Sequence, residues 1–78
     1  MLNQNKKRTA YQEAELEADT GRIVELLRSH FGIVKTIMWM NSKIPLLGNI
    51  KPIDMVKLGR TKKLLKFVKE TIEENKLN

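Results

Sequence analysis

The stretch that decides the fold is Asn41-Ser42-Lys43-Ile44-Pro45-Leu46-Leu47-Gly48-Asn49-Ile50-Lys51-Pro52. Pro45, Gly48 and Asn49 are chain punctuators, so neither a helix nor a strand is expected to run through it. Ile44, Leu46, Leu47 and Ile50 are too apolar to leave in water, which predicts a structured connector rather than a flexible linker. Pro52 then suits the first position of a helix, where its missing N–H costs no intrahelical bond. Helices are expected on both sides of the stretch. The chain therefore reads as all-α, a small single domain of about four helices with this apolar connector between the second and third.

Upstream, Ile33 to Asn41 reads as the second helix, with Val34, Ile37, Met38 and Met40 forming a buried strip around Trp39. A strand would require strict alternation, which Lys35 and Thr36 do not provide. Gly32 stops the preceding helix, since glycine takes the left-handed conformation without a Cβ penalty. That first helix carries Leu16, Ile23, Val24, Leu27 and Phe31 at the spacing of one face. It begins near Ala10, where Thr9 and Gln12 have capping-box spacing. Gly21 costs about 1 kcal/mol relative to Ala, so the segment is either one helix with a weak point or two pieces broken near Asp19-Thr20-Gly21. Residues Met1 to Arg8 lack apolar periodicity and read as a disordered polar tail, leaving 9–78 as the helical domain.

Downstream, Pro52 to Leu58 forms a short helix ended by Gly59. The last helix, Arg60 to about Asn75, places Leu64, Leu65, Val68 and Ile72 on one side with Phe67 at its margin. Lys62, Lys66 and Lys69 lie on another side. Glu70, Glu73 and Glu74 oppose the helix dipole at its C-terminal end and predict a frayed final turn.

The chain has 78 residues and no cysteine, which removes disulfides, thiolate zinc sites and thiol nucleophiles together. A domain this small buries only about 60% of its unfolded surface, so self-association, most simply as a homodimer, is expected. No apolar run approaches the ~18 residues of a membrane span, and no secretory signal pattern is present. No membrane partner is expected, and the expected compartment is the cytoplasm. The net charge is +6. Most of the excess lies between Lys51 and Lys69, where Lys51, Lys57, Arg60, Lys62, Lys63, Lys66 and Lys69 face a single acid, Asp54.

Catalytic chemistry finds little to work with. His30 is the only imidazole, and no second histidine or cysteine exists to complete a metal site; a surface position near a helix C-terminus is the favoured reading. Glu13, Glu15, Glu17 and Asp19 alternate at two-residue spacing, which spreads them around a helix as a solvated surface instead of gathering them as a metal cage. Gly21, Gly32, Gly48 and Gly59 are isolated at element boundaries, unlike a phosphate loop. No enzyme activity, metal or cofactor is expected.

The basic stripe has three readings: phosphate contacts from a helix-turn-helix-like pair around Gly59, a solvated lysine face, or a face for an acidic protein. Base-reading side chains are scarce, since Arg60 is the only arginine of the last helix and no Asn or Gln precedes Asn75 there. A small nucleic-acid-binding module is thus the alternative function. Trp39 reads as a core aromatic, because so small a domain has few other large side chains to fill its centre.

The run from Trp39 to Val56, Trp-Met-Asn-Ser-Lys-Ile-Pro-Leu-Leu-Gly-Asn-Ile-Lys-Pro-Ile-Asp-Met-Val, resembles the toxin-binding domain of the Xre/MbcA/ParS antitoxin family. The resemblance rests on the spacing of Trp39, Leu47-Gly48 and Pro52-x-Asp54, and continues without gaps through Leu65, Val68, Ile72, Glu73 and Glu74. It covers about Gly21 to Asn75. Trp39, Leu47, Gly48, Pro52 and Asp54 read as fold-setting residues, with Leu47 and Gly48 returning the connector to the Trp39 helix. Asp54, in the first turn of its helix, is placed to favour the dipole and the orphan amides.

Asn49 stands where the family has a second glycine, and asparagine tolerates the left-handed conformation that such a turn needs. Thr61 stands where many members have a glycine, with Gly59 available to make that break instead. Many members carry a DNA-binding helix-turn-helix domain ahead of this region, which Met1 to Thr20 is too short to supply. The resemblance implies an antitoxin that neutralises a RES-domain, NAD-consuming toxin by occluding its active site with the antitoxin's C-terminal end. By position, the partner-binding candidates are Lys69, Glu73, Asn75, Lys76, Leu77 and Asn78.

Overall fold

The structure is a computed structural model that describes residues 8–74. The predicted tail otherwise lies outside the described residues, as do the four candidates Asn75, Lys76, Leu77 and Asn78. Among the described residues there are three α-helices, α1 (Ala10–Met40), α2 (Pro52–Lys57) and α3 (Thr61–Glu73), with a 3-10 turn at Pro45–Leu47 and no strand. The all-α class follows. Three continuous helical elements stand where about four helices are expected, and the first of them, residues 10–40, is divided by a non-helical kink at Gly32, the expected boundary between the first two.

Helix α1 starts as its capping box requires. The Gln12 amide donates to the Thr9 hydroxyl at 3.0 Å, and the Thr9 amide donates to Gln12 Oε1 at 2.9 Å. The helix continues through Gly21, so the weak point is tolerated. At Gly32 the backbone turns to φ 84°, ψ 167°. The stop is where the sequence places it, but its ψ is extended and not that of a left-handed cap, a combination essentially restricted to glycine. The Thr36 hydroxyl donates to the Gly32 carbonyl at 2.7 Å, tying the first turn after the break back to the glycine.

The core is Ile23, Leu27 and Met40 from α1, Met55 from α2, and Leu64 and Val68 from α3. Each such burial stabilises by about 1.5–3 kcal/mol. Helix α3 lies along α1, and the short α2 touches both. Trp39 lies at the margin of this core, half-buried and stacked on Phe67 with centroids 6.3 Å apart and planes 11° from parallel. It bridges the end of α1 to α3 and does not fill the centre of the domain.

After Met40 the chain closes a small loop. The Ile44 amide donates to the Ile50 carbonyl, and the Ile44 carbonyl accepts from the Leu47 and Asn49 amides. Gly48 (φ 84°, ψ 28°) and Asn49 (φ 61°) take the left-handed backbone that reverses the chain. Ile44, Leu47 and Ile50 are half-buried, but Leu46 is 79% exposed, against the expectation that all four would be covered. Pro52 is buried in the first turn of α2. Gly59 (φ 78°) makes the break before α3, which opens at Thr61.

The largest departure is on residues 33–40. Ile33, Val34, Ile37 and Met38 are between 52% and 66% exposed, while Thr36 and Met40 face the core. The predicted buried strip of Val34, Ile37 and Met38 is therefore turned outward. Rotation is set by the Gly32 break, which no periodicity within the segment reveals.

Candidate partner-binding site

Lys69 and Glu73 lie one turn apart on α3, so their side chains share a face. Both are exposed. With Ile72, and with Arg22 and Leu26 one turn apart on α1, they line a shallow depression of about 260 Å³. Two of the six sequence candidates thus come together around one site. Arg22 and Leu26 are additions that the sequence did not single out, because only the packing of α1 on α3 brings them to Lys69 and Glu73. The depression has an apolar floor and a rim carrying both charge signs. An apolar centre with a polar rim is also the make-up of protein–protein contacts.

Of the acids of α1, Glu13, Glu15 and Glu17 are exposed as a solvated surface requires, and Asp19 is the exception. Asp19 is half-buried, its carboxylate accepting from the Thr61 hydroxyl at 2.9 Å and from Lys62 Nζ at 3.0 Å. Glu15, one turn earlier, lies 3.6 Å from the same ammonium. Burial alone would raise the Asp19 pKa, but the bonds from Lys62 and Thr61 and the nearby charges of Lys62 and Lys69 outweigh it and hold the carboxyl below its ordinary range. The bond to Asp19 in turn raises the Lys62 pKa, against partial desolvation. The lysine stripe of α3 is consequently interrupted. Lys62 points into an intramolecular pair, leaving Lys66 and Lys69 to face outward.

Of the fold-setting residues, Leu47 packs against the core, Gly48 supplies the turn, and Pro52 starts α2. Asp54 is in the first turn of α2, but no side chain caps that helix, so its contribution is its charge at the dipole and not a bond to the orphan amides. His30 is exposed at the end of the first part of α1 and donates from Nδ1 to the Leu26 carbonyl at 2.9 Å. Among the described residues no three His, Asp or Glu side chains converge as a metal cage would require, and no helix is long and apolar enough to cross a membrane. No family model, curated protein or solved structure matches the chain.

Proposed function

We propose that the chain is an antitoxin-type binding module that neutralises a RES-domain, NAD-consuming toxin by covering its active site, acting by occupancy and without turnover. The resemblance over Trp39 to Val56 motivates the choice of partner. The single observation that carries the binding mode is the convergence of Lys69 and Glu73 with Arg22 around the Leu26–Ile72 floor. A polar rim of both signs offers charge-assisted hydrogen bonds to a protein, whereas a phosphate backbone would be met by a continuous cationic face. Glu73 in the rim disfavours the nucleic-acid alternative at this surface.

The test is NAD consumption by a RES-domain protein encoded beside this chain, titrated with the full chain and with Lys69→Glu and Glu73→Lys. The wild-type chain is expected to abolish consumption at a stoichiometric ratio, and each charge reversal to weaken inhibition by about tenfold, the equivalent of ~1.4 kcal/mol. Undiminished NAD consumption in the presence of excess, folded chain would discard the proposal.

A further inference from the structure

The helical segment 33–40 is inverted relative to the usual surface helix. At 100° per residue, Ile33, Ile37, Val34 and Met38 fall within one arc, and all four face outward. The polar Thr36 faces in, with its hydroxyl bonded to Gly32. An apolar arc of this kind is large for an isolated chain, since soluble monomers seldom expose contiguous patches beyond a few hundred Å². Beside it, Phe31, Met38 and Trp39 help to line a cleft of about 280 Å³ at the Gly32 elbow, with room for one large side chain.

We infer that this face is the contact between two copies of the chain, packed about a two-fold axis. The area fits. The four side chains expose on the order of 450 Å² together, over half of the ~800 Å² that a stable dimer takes from each partner, and the walls of the adjoining cleft supply more. The spacing also fits, because positions 33, 34, 37 and 38 read the same in both directions. In an antiparallel isologous pair, Ile33 of each copy meets Met38 of the other and Val34 meets Ile37. No Asp or Glu occurs between Glu25 and Asp54, so no ion pair can join the two copies within this segment, and the flanking charges at Lys35 and Lys43 repel weakly across the axis. The contact is therefore apolar, and salt strengthens it by screening that repulsion. The inference does not depend on the toxin reading, which concerns the α3 depression.

Sedimentation equilibrium of the full 78-residue chain provides the test, alone and as Ile37→Glu and Met38→Gln, with Lys63→Glu as a control on the exposed face of α3. The expected result is a mass of twice 9.1 kDa for the wild type and the control. Dissociation of the dimer should be at least tenfold easier in both stripe variants, with helical circular dichroism retained because the substituted side chains are exposed in the single chain. Raising salt should leave the dimer intact or tighten it. A wild-type chain that stays monomeric at millimolar concentration overturns the inference. So does a dimer unaffected by both stripe substitutions, or one that dissociates as salt is raised. A monomer that instead binds vesicles of anionic phosphatidylglycerol would assign the face to a lipid surface and equally overturn it.

Discussion

The Thr61 hydroxyl donates to the Asp19 carboxylate at 2.9 Å, joining the first residue of α3 to the middle of α1 across 42 positions of sequence. Thr61 is fully buried, so its hydroxyl has no water to replace Asp19. Lys62 closes over the same carboxylate from the solvent side. One carboxylate thus fixes where α3 begins against α1, and with it the rim that Arg22, Lys69 and Glu73 form further along the two helices.

Replacing Thr61 by Val keeps the shape and removes the donor to a charged acceptor. The expected loss is about 1.5–3 kcal/mol of unfolding free energy, read from urea denaturation. Lys62→Met removes the exposed half of the same cluster and should cost clearly less than Thr61→Val, since water replaces an exposed ammonium. Equal losses from the two substitutions would show that the buried hydroxyl has no special part.

The pH dependence has a definite sign. The Asp19 carboxyl titrates lower in the folded chain than in the unfolded one, so the unfolded state binds the proton more readily. Its stabilisation is complete above the unfolded pKa of about 3.9 and is lost as pH falls through the folded pKa. Asp19→Asn should accordingly be less stable than the wild type at neutral pH. The difference should shrink as thermal unfolding is followed below about pH 4, and a constant difference across that range would contradict the assignment.

Two glycines of α1 should respond oppositely to alanine. A Cβ at Gly21 meets nothing within 4 Å, and the helix there is regular, so Gly21→Ala should stabilise by about 0.5–1 kcal/mol. Gly32 also has space, but its φ of 84° is hostile to any Cβ. Gly32→Ala should destabilise by about 1–3 kcal/mol, and circular dichroism should report whether the helix straightens through residue 32.

Leu64 is fully buried between the helices. Leu64→Ala should cost about 2–5 kcal/mol, a large fraction of the stability of so small a domain. A double-mutant cycle on Trp39 and Phe67 should return a coupling of about 0.5–1.5 kcal/mol for the stacked pair. Coupling near zero would mean that the rings only fill space.

Local chemistry is legible in the sequence. The Thr9–Gln12 box, the glycine breaks at 32, 48 and 59 and the Pro52 start each depend on a few neighbouring residues, and each occurs at its expected position; the left-handed Asn49 is the turn that the family resemblance implies. The core face of α3 is also legible, because Leu64 and Val68 recur at helical spacing. Segment 33–40 is not legible in the same way. Its apolar residues occupy enough of the helix to support more than one buried arc, and the choice between arcs depends on a ψ angle at Gly32.

By itself, then, the sequence determined an all-α chain and most of its element boundaries, which follow from backbone preferences and side-chain periodicity within a turn or two. Lys69 and Glu73 are site candidates only by their position in the family resemblance. Only the tertiary structure decided that Asp19 is bonded to α3, that Arg22 and Leu26 complete the depression, and that Ile33, Val34, Ile37 and Met38 face outward. The last depends on the backbone at Gly32, and the first two on the rotation of one helix against another. That rotation is set by the sum of all the packing contacts and by the Thr61–Asp19 bond, so no single stretch of the chain encodes it.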